Sequence, residues 1–163
     1  MASPSKRRHS SLIPLSHEHH HSLVVALRLR EGYGRLEPSR AGEGIESLVR
    51  ETEAFYQGSL LPHFRAEEEV LFPALKPVLE PGDAIIEELL ADHEEIRSLV
   101  GGISWQTGEQ LRRHLRTLGE VLERHIRKEE RELFPIFEQR VSPERAAALG
   151  REIALALGRA QPP

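Results

Sequence analysis

Two segments of the chain repeat one arrangement of residue types that can bind a metal ion. Residues 63–73 recur as residues 125–135, with seven of the eleven positions identical. Each copy has a glutamate four residues after a histidine: His63 with Glu67, and His125 with Glu129. A step of four residues separates two helical side chains by about 40°, so both lie on one face. Each copy is therefore predicted to supply half of a metal site.

The spacing of leucines before the second copy predicts that its pair faces a helical core. Leucines and then the pair follow at alternating steps of four and three, as in the seam of an antiparallel bundle: Leu111, Leu115, Leu118, Leu122, His125 and Glu129. The competing interpretation is an exposed intrahelical pair, which would contribute only about 0.2 to 0.5 kcal/mol. Two carboxylates buried without a cation would cost several kcal/mol per ion. Metal binding is therefore the favoured interpretation.

Composition limits the other classes of function. A chain of 163 residues with 39% apolar and 29% charged residues indicates one soluble helical domain. The net charge of -4, with only the short basic run at residues 6–8, argues against a nucleic-acid partner. Cysteine is absent, which excludes disulfides, thiolate metal sites and iron–sulfur ligation. Apolar runs such as Leu23 to Leu27 are too short for a membrane span, and we expect a cytoplasmic protein without a membrane partner.

The pattern along the chain predicts an all-α fold, namely an up-down antiparallel four-helix bundle with an additional C-terminal helix. Residues 1–14 are rich in serine, proline and basic residues, and we expect a disordered N-terminal tail there. The bundle domain is predicted over residues 15–158. Its helices are expected from about 16 to 29, from 43 through the first copy of the repeat, from 84 to 100, from 111 through the second copy, and from 143 to 157.

Two details of these helices carry specific expectations. Pro62 precedes the first repeat histidine and is expected to kink the second helix beside it, because proline removes a backbone hydrogen bond. The fifth helix begins after Ser142 and is expected to pack either on the bundle or on a second copy of the chain in a homodimer.

The first and third predicted helices each offer a further histidine. His93 lies on an otherwise apolar stripe of the third helix, whereas the first helix has three consecutive histidines. Aligning His20 with His93 places Leu23 and Leu27 at the plus three and plus seven positions, which are apolar in both helices. On that ground we favour His20.

A second alignment competes with the first. Matching the acidic residues that precede the histidines, Glu18 with Asp92, selects His19 instead. With the favoured alignment, the four helices bring four imidazoles and two carboxylates together around two metal ions: His20, His63, Glu67, His93, His125 and Glu129. Nitrogen and oxygen ligands without thiolate suit iron best, with manganese or zinc as competitors.

This combination resembles the hemerythrin-like family of HHE cation-binding domains over residues 15 to 140. The resemblance implies a non-haem di-iron centre, with two oxo- and carboxylate-bridged iron ions, bridged by Glu67 and Glu129. Oxygen-carrying hemerythrins have a second histidine four residues further along the third helix, where this chain has Arg97. The four-histidine, two-glutamate set is more similar to the repair-of-iron-centres proteins, although their cysteine-bearing N-terminal module is absent.

The resemblance implies two classes of function. The first is a binding protein, without enzymatic activity, that binds or senses O2, NO or iron. The second is an enzyme that reduces NO or peroxide at the same centre, or that donates iron for the repair of iron–sulfur centres. We favour the first.

Overall fold

Five helices account for most of the residues that the structure describes. The computed structural model describes residues 7–32, 38–40 and 43–159, and it contains no strand within those ranges. The helices are α1 (Ile13–Glu31), α2 (residues 45–75), α3 (Ile85–Gly102), α4 (residues 108–140) and α5 (Pro143–Ala156). The predicted all-α bundle with an additional C-terminal helix is confirmed. None of the described helices combines the length and the apolar character that a membrane crossing requires.

Helices α2 and α4 change their winding along their length. Helix α2 joins the α-helical segments Ile45–Phe55, Leu61–Ala66 and Phe72–Leu75 through π turns at Tyr56–Leu60 and Glu67–Leu71. Helix α4 joins Gly108–Lys128 and Phe134–Arg140 through a π turn at Glu129–Leu133. The two repeat copies therefore share a local structure that begins at the glutamate of each copy.

Each π turn ends two residues before a proline: Pro62, Pro73 or Pro135. Proline has no backbone N–H, and its ring crowds the carbonyl group four residues earlier in a regular α-helix. The wider turn lets the helix continue without the bond that proline cannot make. At Pro62, where a kink was expected, the helix accommodates the proline through this change of winding.

The N-terminal boundary of the domain lies earlier than predicted. Residues 1–6 of the predicted tail lie outside the described residues, but Ser10–Leu12 form a 3-10 turn that leads into α1. Leu12 and Leu15 are fully buried. Residues 10–12 therefore belong to the packed domain, because Leu12 enters the core and Ser11 is buried beside it.

The hydrophobic core has two parts. One part lies between the repeat end of the bundle and α5: its largest members are Phe72, Phe134 and Phe137. The other fills the bundle on the far side of the repeat histidines and includes Phe64, Ile96 and Leu122. Helix α5 packs on the N-terminal 3-10 turn and on α2. This is the predicted alternative in which the fifth helix packs on the bundle of its own chain. The repeat histidines and glutamates lie between the two parts of the core.

Helices α1 and α4 approach each other closely at Gly119. A Cβ atom there would lie 2.6 Å from the carbonyl oxygen of Ala26 and 3.0 Å from Cβ of Leu29. A Cβ atom is essentially never found this close to another heavy atom, so the helices can cross here only because residue 119 is glycine. The close approach aligns α1 with the ligand-bearing segment of α4.

We predict that Gly119→Ala lowers the free energy of unfolding by about 1 to 2 kcal/mol, because the added methyl group forces the two helices apart. Gly101→Ala in α3 is the matched control, since a Cβ there meets nothing within 4 Å. It should stabilise the protein by about 0.5 kcal/mol through higher helix propensity. Urea denaturation measures the free energy of unfolding of both variants. An equal increase of this free energy in the two variants would contradict the close crossing.

Candidate metal centre

Six buried residues meet at the middle of the bundle. His19 comes from α1 and His93 from α3, while α2 and α4 each bring the histidine and glutamate of one repeat copy. Each of the six is at most 3% exposed: His19, His63, Glu67, His93, His125 and Glu129. A cluster of this size and polarity inside a core requires partners for its charges.

The six residues form two groups with shared members. Within the described residues, His19 and His63 form one group with both glutamates, and His93 and His125 form the other with the same two glutamates. The Nε2 atoms of His19 and His63 lie 3.0 Å apart, and those of His93 and His125 lie 3.2 Å apart. Both glutamates belong to both groups, which is the geometry of carboxylates that bridge two ions.

Glu67 and Glu129 contact histidines of both groups. Glu67 Oε1 lies 2.8 Å from His63 Nε2, and its Oε2 lies 3.3 Å from His93 Nε2. Glu129 Oε2 lies 3.1 Å from His19 Nε2 and 3.4 Å from His125 Nε2. Ligand atoms that bind one ion at about 2.0 to 2.2 Å are themselves about 3 Å apart. The observed spacings therefore fit a shared ion for each group.

The glutamate oxygens give an independent test of this fit. All four carboxylate oxygens of Glu67 and Glu129 are buried and have no hydrogen-bond partner among the described residues. A buried carboxylate without a donor is strongly unfavourable, whereas a cation between the two would neutralise both. The residues present fit a pair of metal ions.

Four further carboxylates surround the centre, and three of them orient its histidines. His19 Nδ1 lies 2.7 Å from Glu130 Oε1, and His63 Nδ1 lies 2.8 Å from Glu18 Oε2. His93 Nδ1 lies 2.6 Å from Glu68 Oε1. An Nδ1–H that donates to a carboxylate leaves the Nε2 lone pair free to face the centre. The three imidazoles are thereby held in the tautomer that binds metal.

The outer carboxylates follow the symmetry of the repeat. Glu68 and Glu130 each follow a glutamate of the cluster and reach the histidine of a neighbouring helix. Glu18 and Asp92 each precede a histidine and face the repeat histidine of the next helix. Each of the four carboxylates also accepts a hydrogen bond from an arginine: Arg159 to Glu18, Arg97 to Glu68, Arg124 to Asp92 and Arg8 to Glu130.

The structure places His19, and not the predicted His20, among the residues of the cluster. His20 is exposed, whereas His19 is 2% exposed and lies within the cluster. The alignment that favoured His20 assumed that Leu27 faces the core, but its side chain is 39% exposed. The small residues Ser22 and Ala26 occupy the core face instead, because α1 lies close to α4. The acidic residue before the histidine was the correct signal.

Charge interactions within the cluster shift several pKa values. Burial acts to lower the pKa of His63, but the charge of Glu67 and a hydrogen bond to Glu18 raise it to about 9. Burial also opposes protonation of His19, yet its contacts with Glu129 and Glu130 raise its pKa well above 6.5. Without metal, these imidazoles bind protons at neutral pH and so partly compensate the buried glutamates.

Comparison with known proteins identifies one family. The family model described as the hemerythrin HHE cation binding domain matches residues 11–137. No curated protein and no solved structure matches the chain significantly. The match covers all six residues of the cluster and ends before α5.

We predict that His19→Ala lowers the metal content of the protein, whereas His20→Ala leaves it unchanged. The two variants are a matched pair, because they are neighbours in one helix and differ in whether the side chain enters the cluster. Metal analysis after loading with Fe(II) in the absence of air measures the effect. Loss of metal in His20→Ala with full binding in His19→Ala would contradict the observed register.

We predict that metal binding releases protons at pH 7. The pKa of His63 is raised to about 9, so its imidazole is protonated without metal and must become neutral to bind an ion. Affinity for Mn(II) should therefore increase from pH 6.5 to 8.5, by about tenfold per pH unit for each proton displaced. Calorimetry in two buffers of different ionisation enthalpy counts the protons. An affinity independent of pH over this range would contradict the shift.

Proposed function

The chain belongs to the hemerythrin HHE cation-binding family, and we propose that its cluster binds two iron ions, each held by one histidine pair and both glutamates. One observation carries this proposal: the two four-residue groups share Glu67 and Glu129. Glu67 and Glu129 would then serve both ions, as carboxylates do in dinuclear sites of other helical bundles. The binding of metal ions is the general property of the family, and the number and identity of the ions are proposed here.

The choice of iron rests on the chemistry of the donor atoms. Imidazole and carboxylate ligands without thiolate are typical of non-haem iron and manganese, whereas structural zinc sites more often use cysteine. The chain has no cysteine at all. Carboxylate bridges also suit an ion that changes its charge, because they can shift between binding modes. Iron is therefore the proposed ion, and manganese and zinc are its competitors.

We propose that the iron pair binds a small diatomic molecule, O2 or NO. When bound, two ferrous ions supply two electrons and coordination positions that the protein leaves open. Burial favours a small ligand, because each of the six residues of the cluster is at most 3% exposed and a bulky substrate could not contact them. The aromatic surroundings agree with an uncharged ligand: Phe64 stacks on His93 at 3.7 Å between ring centroids, and Phe134 stacks on His19 at 5.4 Å.

A second candidate function is the reduction of NO or peroxide at the same centre. Both reactions consume electrons and protons, and peroxide needs two of each to form two water molecules. One observation favours a supply of protons: His93 contacts Glu68, whose carboxylate can exchange protons with water because its side chain is 26% exposed. This chain of polar groups connects the centre with the surface.

We predict two iron ions per chain after loading with Fe(II) in the absence of air. The double variant Glu67→Gln/Glu129→Gln should lose stoichiometric iron, since neutral amides cannot bridge and neutralise two cations. The variant Glu69→Gln in the same wide turn is the control, because its exposed side chain lies outside both groups and should leave iron binding unchanged. Full iron content in the double variant would contradict the site.

The response of the iron-loaded protein to gas separates the two functions. A binding protein should show an absorption change on exposure to NO or O2 that reverses when the gas is removed. A reductase should instead consume repeated equivalents of NO or peroxide in the presence of an electron donor. If O2, NO and peroxide all leave the absorption spectrum unchanged and none is consumed, both functions are contradicted. The proposed iron site itself would still stand.

A further inference from the structure

The two halves of the centre differ in how their repeat histidines are held. His63 Nδ1 lies 2.8 Å from Glu18 Oε2, within hydrogen-bond distance. His125 occupies the matching place in the other half, but its Nδ1 lies 3.7 Å from Asp92 Oδ2. That nitrogen is buried and has no hydrogen-bond partner among the described residues. Of the four histidines in the cluster, His125 is the one whose outer nitrogen lacks a carboxylate in contact.

Two differences between the repeat halves explain the gap. Asp92 stands where the other half has Glu18, and its side chain is shorter by one methylene group. Asp92 is also bound by Arg124, whose Nη2 donates to Asp92 Oδ1 at 2.5 Å. Arg124 directly precedes His125, whereas the residue before His63 is Pro62, which has no such donor. Glu18 also accepts a hydrogen bond from an arginine, Arg159, yet its other oxygen reaches His63. The shorter side chain of Asp92, held beside Arg124, does not reach the imidazole of His125.

An outer carboxylate strengthens a metal-bound histidine in two ways. It fixes the orientation and tautomer of the ring, and it makes the nitrogen that faces the metal more basic. Loss of such a partner typically lowers metal affinity by about 10- to 100-fold. His19, His63 and His93 each have such a partner, and His125 does not.

We propose that the two metal positions are unequal and that Asp92 determines the difference. The position formed by His19 and His63 binds its divalent cation more tightly and fills first. The position formed by His93 and His125 is the weaker one, and its ion exchanges faster. This inference rests on the proposed two-ion centre and adds a functional difference between its halves. Asp92 acts here as a positioning residue, through His125 rather than by contact with the ion.

The repeat provides a matched pair of variants that isolates each position. His125→Ala leaves the position of His19 and His63 intact, and His63→Ala leaves the position of His93 and His125 intact. Titration with Mn(II) should show that His125→Ala retains one ion with an affinity about 10- to 100-fold higher than the ion retained by His63→Ala. Equal affinities, or the reverse order, would overturn the inference. Circular dichroism establishes that both variants keep their helix content.

Exchange of the two acids tests the cause with conservative changes that do not remove a ligand. In the His63→Ala background, Asp92→Glu should bring a carboxylate to His125 and raise the affinity for Mn(II) by about tenfold or more. In the His125→Ala background, Glu18→Asp should lower it by a similar factor. An effect on helix packing alone would lower affinity in both cases, so a gain from Asp92→Glu separates positioning from structural damage.

The outcomes also separate this inference from the proposed function. If the unaltered protein binds no stoichiometric metal, the two-ion centre itself is wrong. If it binds two ions and the acid exchanges leave affinity unchanged, the centre stands and the role of Asp92 is overturned.

Discussion

The structure depends on the burial of two carboxylates that have no hydrogen-bond donors. Glu67 and Glu129 are completely excluded from solvent, and neither carboxylate oxygen of either residue has a hydrogen-bond partner among the described residues. Such a pair is tolerable only where positive charge faces it, from protonated imidazoles without metal or from bound cations. Four histidines surround the two glutamates. Outer carboxylates lie beside these histidines, and arginines donate hydrogen bonds to the outer carboxylates, so charges of alternating sign surround the buried pair.

The internal repeat explains how a single chain builds such layers with few residue types. In each half, a helix with an acid–histidine pair is followed by a helix with the histidine and two adjacent glutamates. The first glutamate of each copy enters the centre, and the second reaches the histidine of a neighbouring helix. A π turn begins at the first glutamate in both copies. In each copy the wider turn accompanies two consecutive glutamates that contact the two nitrogens of one histidine from a neighbouring helix. Glu67 and Glu68 contact His93, and Glu129 and Glu130 contact His19.

Much of this arrangement could be predicted from the sequence, because strong periodicity marks buried helical faces. The stripe that ends in His125 and Glu129 predicted both the helix and its inward face. The register of α1 could not be obtained in the same way, since Ser22 and Ala26 occupy the core positions three and seven residues after His19, where large apolar residues were expected. Small residues mark the close crossing at Gly119, and only the three-dimensional packing reveals that crossing. The unequal reach of Glu18 and Asp92 likewise depends on distances that spacing along a chain does not give.

The most direct test of a centre with two shared carboxylates is electron paramagnetic resonance of the protein loaded with two equivalents of Mn(II). Two ions bridged by Glu67 and Glu129 must be magnetically coupled, so the six-line signal of isolated Mn(II) should be weak and a broad coupled spectrum should replace it. Two full six-line signals at this stoichiometry would show that the ions lie apart. That result would contradict a common centre formed by the two repeat copies.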